Sequence, residues 1–402
     1  MLKNIVILFL LFYYSFSIHA QWQQTYSPAQ HKINCIHSLG HIFIAGTDNG
    51  ALVSYNAGDT WQHAGMIGYG ITSLASLGGK VIAATYKGGI FISSDSTKSW
   101  SASNLGLQKL NITTLIVKGN IVIAGLYYGG LYSSYDTGNS WMYMAPPDPY
   151  ANAWISSTSI FQDSIQYFST HGKGVFSYCE KCLGSKWTTL NSNLPLPTDN
   201  LFAFSIHVID SFVFLGTNRG MYASPITYPF IWTKIGLQNY YVYTMYLTDS
   251  IIIAGTDYGI FTSYSRGSTW FSKSEGLSDP KIYSLYCTDS ILLAGSSSGK
   301  IFKRSMNDIQ SVEWLKTDKK PFLRVWPNPT HNYCYISLSV EKKLPVRLHI
   351  YSSTGEKMQN IRTHIMSEEN ILQIDLDNLD AGIYILNIDF DDTSSQSKLI
   401  IY

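Results

Sequence analysis

Three observations on the 402-residue sequence predict an all-β fold, a seven-bladed β-propeller followed by a small β-sandwich. A polar turn ending in tryptophan recurs, as "SYNAGDTW" at 54–61, "SSDSTKSW" at 93–100, "SYDTGNSW" at 134–141 and "SYSRGSTW" at 263–270. Tryptophans at 61, 100, 141, 187, 232, 270 and 314 lie 39, 41, 46, 45, 38 and 44 residues apart. Within each period four strand-length pieces alternate with tight turns, the pattern of a propeller blade.

The elements follow in chain order. "MLKNIVILFLLFYYSFSIHA" carries Lys3, an apolar run from Ile5 to Phe16 and a cleavage-type end at Ile18-His19-Ala20. It reads as a removable export signal: it is short for a membrane span, and no stop-transfer pattern follows. No cysteine follows the cut, which argues against a lipid anchor, and no later stretch reads as an integral membrane span. The domains are expected at 1–20 (signal peptide), 21–317 (propeller) and 318–402 (sandwich).

The second blade illustrates the unit. "ITSLASL" is strand A, "VIAAT" strand B, "GIFISS" strand C, and strand D begins at Trp100. Gly-Gly, Asp-Ser and Gly-Asn pairs join A to B and tolerate the positive φ of two-residue hairpins. Helical repeats of similar length need apolar residues three and four apart, whereas these runs alternate or are continuous. Closure of the ring has two candidates. Trp22 lies 39 residues before Trp61, so the N-terminal segment fits a D strand of the last blade, in competition with "VEWLKTD" at 312–318.

Charged residues make up 14% of the chain and the net charge is +1, which gives no electrostatic case for nucleic acid or an anionic membrane. Of five cysteines, Cys179 and Cys182 stand in "CEKC". Without a βαβ setting they read as a local disulfide or two inert thiols, and without a second pair they make no zinc site. No metal and no cofactor is expected.

Chemistry is sought on the face where the B–C and D–A loops open. Its B–C turns carry Asp48-Asn49, Tyr86-Lys87, Tyr127-Tyr128, His171 with Lys173, Asn218-Arg219, Asp257-Tyr258 and Ser297-Ser298. The long D–A connection "APPDPYANAW" adds Tyr150 and Trp154. Tyr86, Tyr127, Tyr128, Tyr150, Trp154, His171, Arg219 and Tyr258 are therefore the candidate binding face for an unknown glycan or protein ligand. The plainer reading is that these turns are polar because they are wet. Asp48 and Asp257 are the carboxylate pair an inverting glycoside hydrolase would need.

The tryptophan turn resembles the Asp-box, the S-x-D-x-G-x-T-W hairpin of bacterial neuraminidase repeats, also found in non-enzymatic propellers. Asn56, Gly58, Trp61, Asp95, Trp100, Asp136, Gly138, Trp141, Gly267 and Trp270 fall on it. Ser96-Thr97-Lys98 lacks the glycine, and Ser265 replaces the acid. In carriers of this box it lies at the C–D turn, remote from the ligand, so the resemblance implies a folding device. Residues 23–317 resemble plant and bacterial photosystem-assembly-factor and sialidase-like propellers. The sialidase arginine trio is not matched, since the propeller holds only Arg219, Arg266 and Arg304.

The tail resembles the type A sorting domain of the type IX secretion system. The resemblance rests on Pro327-Asn328-Pro329, "IYSSTGEKM" at 350–358, Leu379 with "AGIYILNI", and Lys398, with Trp326 where a tyrosine is usual. It implies Sec export, passage through the outer membrane by the type IX secretion machinery, and release or surface attachment. The expected role is a non-catalytic surface or secreted binding scaffold. The alternatives are a glycan-active hydrolase on the same face and an assembly factor for a surface complex.

Overall fold

A computed structural model describes residues 21–146, 148, 150–162, 164–182, 186–195, 201–226, 230–248, 251–310, 322–326, 330, 333–339, 344–352, 356–365, 371–390 and 393–401. Seven four-stranded antiparallel sheets follow one another in chain order. Blade one comprises strand A, Ile33–Leu39, strand B, Ile42–Thr47, strand C, Gly50–Ser54, and strand D, Gln62–His63. Blades two to six span 70–102, 112–143, 155–189, 203–236 and 242–272, and strands A to C of blade seven span 282–305. The A strands touch in sequence around the axis, and Ile282–Cys287 of blade seven meets Ile33–Leu39 of blade one. The ring is closed.

Packing between blades explains the strand compositions. The B strand of blade one is buried along its whole length because neighbouring blades cover both of its faces, so it reads as a continuous apolar run instead of alternating. Its Gly46 sits where a Cβ would lie 2.5 Å from the Ile71 side chain of the next blade. Gly295 of blade seven makes the same approach to Ile33, at 2.4 Å. Glycine here sets the blade-to-blade distance.

The tryptophan turns lie at the C–D hairpins. In blade three, Asp136 Oδ1 accepts the Ser140 N–H (2.9 Å) and the Ser134 hydroxyl (2.7 Å), while Gly138 N–H donates to Ser134 Oγ (2.8 Å). The Trp141 indole then donates to Ser103 O of blade two (2.9 Å). Trp100 reaches Ala64 O of blade one (2.8 Å), Trp232 reaches Leu190 O (2.6 Å) and Trp270 reaches Ile235 O (3.0 Å). Each of these indoles fastens its blade to the preceding one. Trp61 instead bonds Gly58 O within its own turn (3.1 Å). In blade six, Ser265 Oγ takes the acid's place by accepting the Thr269 N–H (2.9 Å). In blade four a Cys179–Cys182 disulfide clips the hairpin.

The N-terminal segment completes blade seven. Gln23 and Gln24 pair with Lys303 and Phe302, and Thr25 N–H donates to Ile301 O (2.9 Å). Trp22 is 2% exposed, and its indole donates to Lys273 O of blade six (2.6 Å), as a blade tryptophan does. Residues 312–318, the competing segment, lie outside the described residues. A short helix, Met306–Gln310, packs Met306 and Ile309 into the same core as Trp22.

The tail forms two sheets. One orders Phe322–Trp326, Tyr333–Ser339 and Ile371–Asp375, the other Lys357–Ile365, Leu344–Ser352, Gly382–Phe390 and Thr393–Ile401. Cys334, Ile336 and Ile374 of the first share a core with Leu348, Ile350, Leu386 and Leu399 of the second, which makes a β-sandwich. Residues 1–20, 327–329 and 353–355 and the Lys398 side chain lie outside the described residues. Among the described residues no helix is long and apolar enough to cross a membrane.

Candidate functional site

Every A strand breaks register directly after its first paired core residue. The shifts fall between Ile33 and Cys35, Ile71 and Ser73, Ile112 and Thr114, Ile155 and Ser157, Ala203 and Ser205, Val242 and Thr244, and Ile282 and Ser284. A bulge inserts one unpaired residue and re-aims its side chain. The seven inserted residues, Asn34, Thr72, Thr113, Ser156, Phe204, Tyr243 and Tyr283, all line one cavity of about 850 Å³. With one inserted residue from each blade, that cavity lies on the ring axis.

The wall has two sectors. In blades one to three the inserted side chain donates to the carbonyl of the residue just before the next blade's bulge. Asn34 Nδ2 reaches Ile71 O (2.8 Å), Thr72 Oγ1 reaches Ile112 O (2.8 Å), and Thr113 Oγ1 reaches Ile155 O. Ser156 pairs with Ser169 Oγ (3.0 Å). The first three contacts tie neighbouring blades together, and the Ser156 contact stays within blade four.

The other sector is aromatic and continues onto the rim. Ring centroids run from Tyr86 to Tyr127 (6.2 Å), Trp154 (4.4 Å), His171 (3.8 Å), Phe204 (5.3 Å), Tyr243 (5.1 Å) and Tyr283 (4.3 Å). The Lys32 ammonium of blade one lies 4.7 Å over the Tyr283 ring and ends the row. Burial lowers His171 to about 4, so its ring is neutral at pH 7. Burial, then a hydrogen bond with Tyr283, raises Tyr243 and keeps its phenol protonated.

Tyr86, Tyr127, Trp154, His171 and Asp48 line the cavity. Tyr128 stands exposed at the rim against Tyr127, centroids 4.4 Å apart. Tyr258 projects outside the cavity beside Tyr240 (5.9 Å). Arg219 occupies the blade-five B–C turn, where its N–H donates to Thr217 Oγ1 (3.0 Å), and does not line the cavity.

Two expectations are corrected. Tyr150 is not on the face. It is 1% exposed, its ring centroid lies 4.2 Å from that of Phe176, and its hydroxyl accepts from Asn191 Nδ2 (3.1 Å). The loop turns it into the core between blades three and four, where an aromatic ring gains more than it would in water. Asp48 and Asp257 do not converge on one cavity either. Asp48 Oδ1 accepts from Asn34 Nδ2 (2.8 Å) at its edge, whereas Asp257 Oδ1 accepts the Tyr241 N–H (2.9 Å) and does not line it. Asn218 accepts the Phe202 N–H in the same way (2.9 Å), so Asp257 makes a loop contact that recurs between blades.

Inspection of turns alone missed Phe204, Tyr243, Tyr283 and Lys32. The signal lies in the A strands "INCI", "ITSL", "ITTL", "ISST", "AFSI", "VYTM" and "IYSL", whose second residue changes chemistry while its neighbours stay apolar or small. Among the described residues no group of three or more His, Cys, Asp or Glu could hold a metal ion.

Residues 324–402 match the family model described as the secretion system C-terminal sorting domain. The tail is a sorting domain. It marks the chain for handling by the type IX secretion machinery, and so for export and either surface attachment or release. No curated protein matches the chain in sequence. Among solved structures the chain is similar to PorZ, a surface component of the type IX secretion system of Porphyromonas gingivalis, at 12% identity and TM-score 0.56, covering 93% of this chain and 60% of that one. It is also similar to the extracellular domain of BT4673 from B. thetaiotaomicron, at 14% identity and TM-score 0.60, over 94% of this chain and 52% of that one. YCF48 from Cyanidioschyzon merolae aligns at 15% identity and TM-score 0.57, over 72% of this chain and 99% of that one. The chain thus spans little more than half the length of PorZ and BT4673. What it shares with these proteins is the fold.

Proposed function

We propose that the exported chain is a non-catalytic binding module, delivered by its sorting domain and a leader at 1–20, whose ligand sits in the axial cavity. One observation carries this reading: the unbroken belt from Tyr86 through Trp154 and Tyr243 to Tyr283 and Lys32 around a cavity of about 850 Å³. Ring packing alone does not call for aromatic residues at bulge positions, because Asn34, Thr72 and Thr113 serve the ring better by stapling it. Flat apolar surface beside a few polar groups suits a ligand that is itself partly apolar. A YCF48 propeller solved with D1 peptide bound supports a ligand held by this architecture. An assembly factor would use the same cavity with a protein as ligand.

The test replaces Phe204, Tyr243 and Tyr283 together with alanine, beside a Tyr258→Ala control, and assays retention on glycan and peptide panels as well as released sugar. The triple variant is expected to lose retention by at least about tenfold with its secondary structure intact. The control keeps it. Sugar release by the parent protein, abolished by Asp48→Asn, would overturn the non-catalytic reading.

A further inference from the structure

Resting on that binding reading, we infer that the cavity takes an extended acidic peptide segment with apolar side chains, and not a glycan. Three features of the site carry this. The first is hydrogen-bonding capacity. A sugar ring presents several hydroxyls that need partners, yet the side-chain donors of Asn34, Thr72 and Thr113 are engaged with backbone carbonyls of the next blade. What remains toward the axis is mainly ring surface.

The second is extent. Large apolar side chains stand exposed beyond the cavity, on the loops of the same end: Ile67, Tyr128, Phe202 and Tyr241, each between 39% and 71% exposed. Exposed apolar side chains of this size around a cavity suit a surface that meets another polypeptide. Only an extended ligand can touch both the axis and these rings.

The third is charge. Lys32 and Lys87 line the cavity with their ammonium groups over Tyr283 (4.7 Å) and Tyr86 (5.1 Å), and neither has an ion-pair partner among the described residues. The nearby acids are engaged locally: Asp48 with Asn34, Asp257 with the Tyr241 N–H, and Asp279 with Ser297 and the Ser298 N–H. The site therefore offers two cations that rest on rings and have no ion-pair partner among the described residues. Carboxylates on the ligand supply what is missing while its apolar side chains pack on the belt.

The experiment uses the full exported chain and fluorescence polarisation with three short labelled peptides, each alternating aromatic residues with glutamate, glutamine or lysine, alongside sialylated and neutral glycans. The glutamate peptide is expected to bind about tenfold tighter than the glutamine one, and to weaken as salt rises. Lys32→Gln with Lys87→Gln should bring the glutamate peptide down to the level that the glutamine peptide reaches on the parent protein. Equal binding of glutamate and lysine peptides overturns the inference. Glycan binding without peptide binding, lost on Phe204, Tyr243 and Tyr283 substitution, overturns it and leaves the binding-module reading standing. Silence from every probe overturns both.

Discussion

Thr97 occupies, at φ 74°, the place that glycine holds at 58, 138 and 267 of the same turn. Its N–H still reaches Ser93 Oγ (2.9 Å), so the hairpin forms, but its buried hydroxyl has no partner. A non-glycine residue in the left-handed region and an unpaired buried hydroxyl each count against the folded state. Thr97→Gly is therefore expected to raise unfolding stability by about 1 kcal/mol, read from the urea midpoint; a loss would mean that the methyl packs well enough to outweigh both. The sequence exposes this departure because the aligned turns at 54–61, 134–141 and 263–270 say what belongs there. It does not expose Asn34 or Tyr243, since a period-two pattern assigns every strand residue to one of two faces and a bulge sends the inserted one to neither. Nor can residue type alone tell that Tyr150 turns inward while Tyr128 stays out, because that depends on how the 145–154 loop packs on Phe176.

At the scale of elements, a repeat spacing of 39 residues made the N-terminal segment a legible candidate for the closing strand, and Trp314 made an equal claim. Only pairing across the whole chain decides between them. Trp22 fills a pocket shared with Ile253, Ile282 and Phe302, and its substitution by alanine is expected to cost about 3–5 kcal/mol. Trp187, half-buried in the blade whose hairpin is clipped by the disulfide, should cost clearly less. Guanidinium unfolding of the two variants compares them directly, and equal losses would mean that Trp22 does not hold the ring shut. The tail was legible for another reason. Its pieces, Pro327-Asn328-Pro329, "IYSSTGEKM" and "AGIYILNI", are weak one by one and specific in that order.

Across the whole molecule, acid should act in two stages. Burial lowers His37 and His207 from 6.5 to about 4, so between those values the unfolded chain binds more protons and stability falls as pH falls. Hydrogen bonds from Ser140, first its hydroxyl and then its N–H, hold Asp136 at about 2; burial would raise Asp279, but hydrogen bonds from Ser298 and Lys281 bring it to about 2. Their contribution is present above the ordinary carboxylate range and is lost as pH drops toward 2. Melting temperature is thus expected to decline from pH 6.5 to 4 and to decline again below it, with His207→Gln making the first stage shallower and leaving the second unchanged. A profile flat down to pH 4 would show that both imidazoles already reach water.

The N-terminal closing strand also sets the order of events in folding. The contacts that shut the ring join residues 251 and 276 positions apart, so they cannot form until the last blade exists. Until then the strand at Ile301–Ser305 has an open edge, ready to pair with any passing chain. Closing a loop of that length is slow relative to local hairpin formation. Six blades can assemble as they emerge, but the segment made first must wait for the seventh. The vulnerable species is a nearly complete ring with one unguarded edge, and the time it survives before Trp22 docks sets how much of the protein is lost to aggregation.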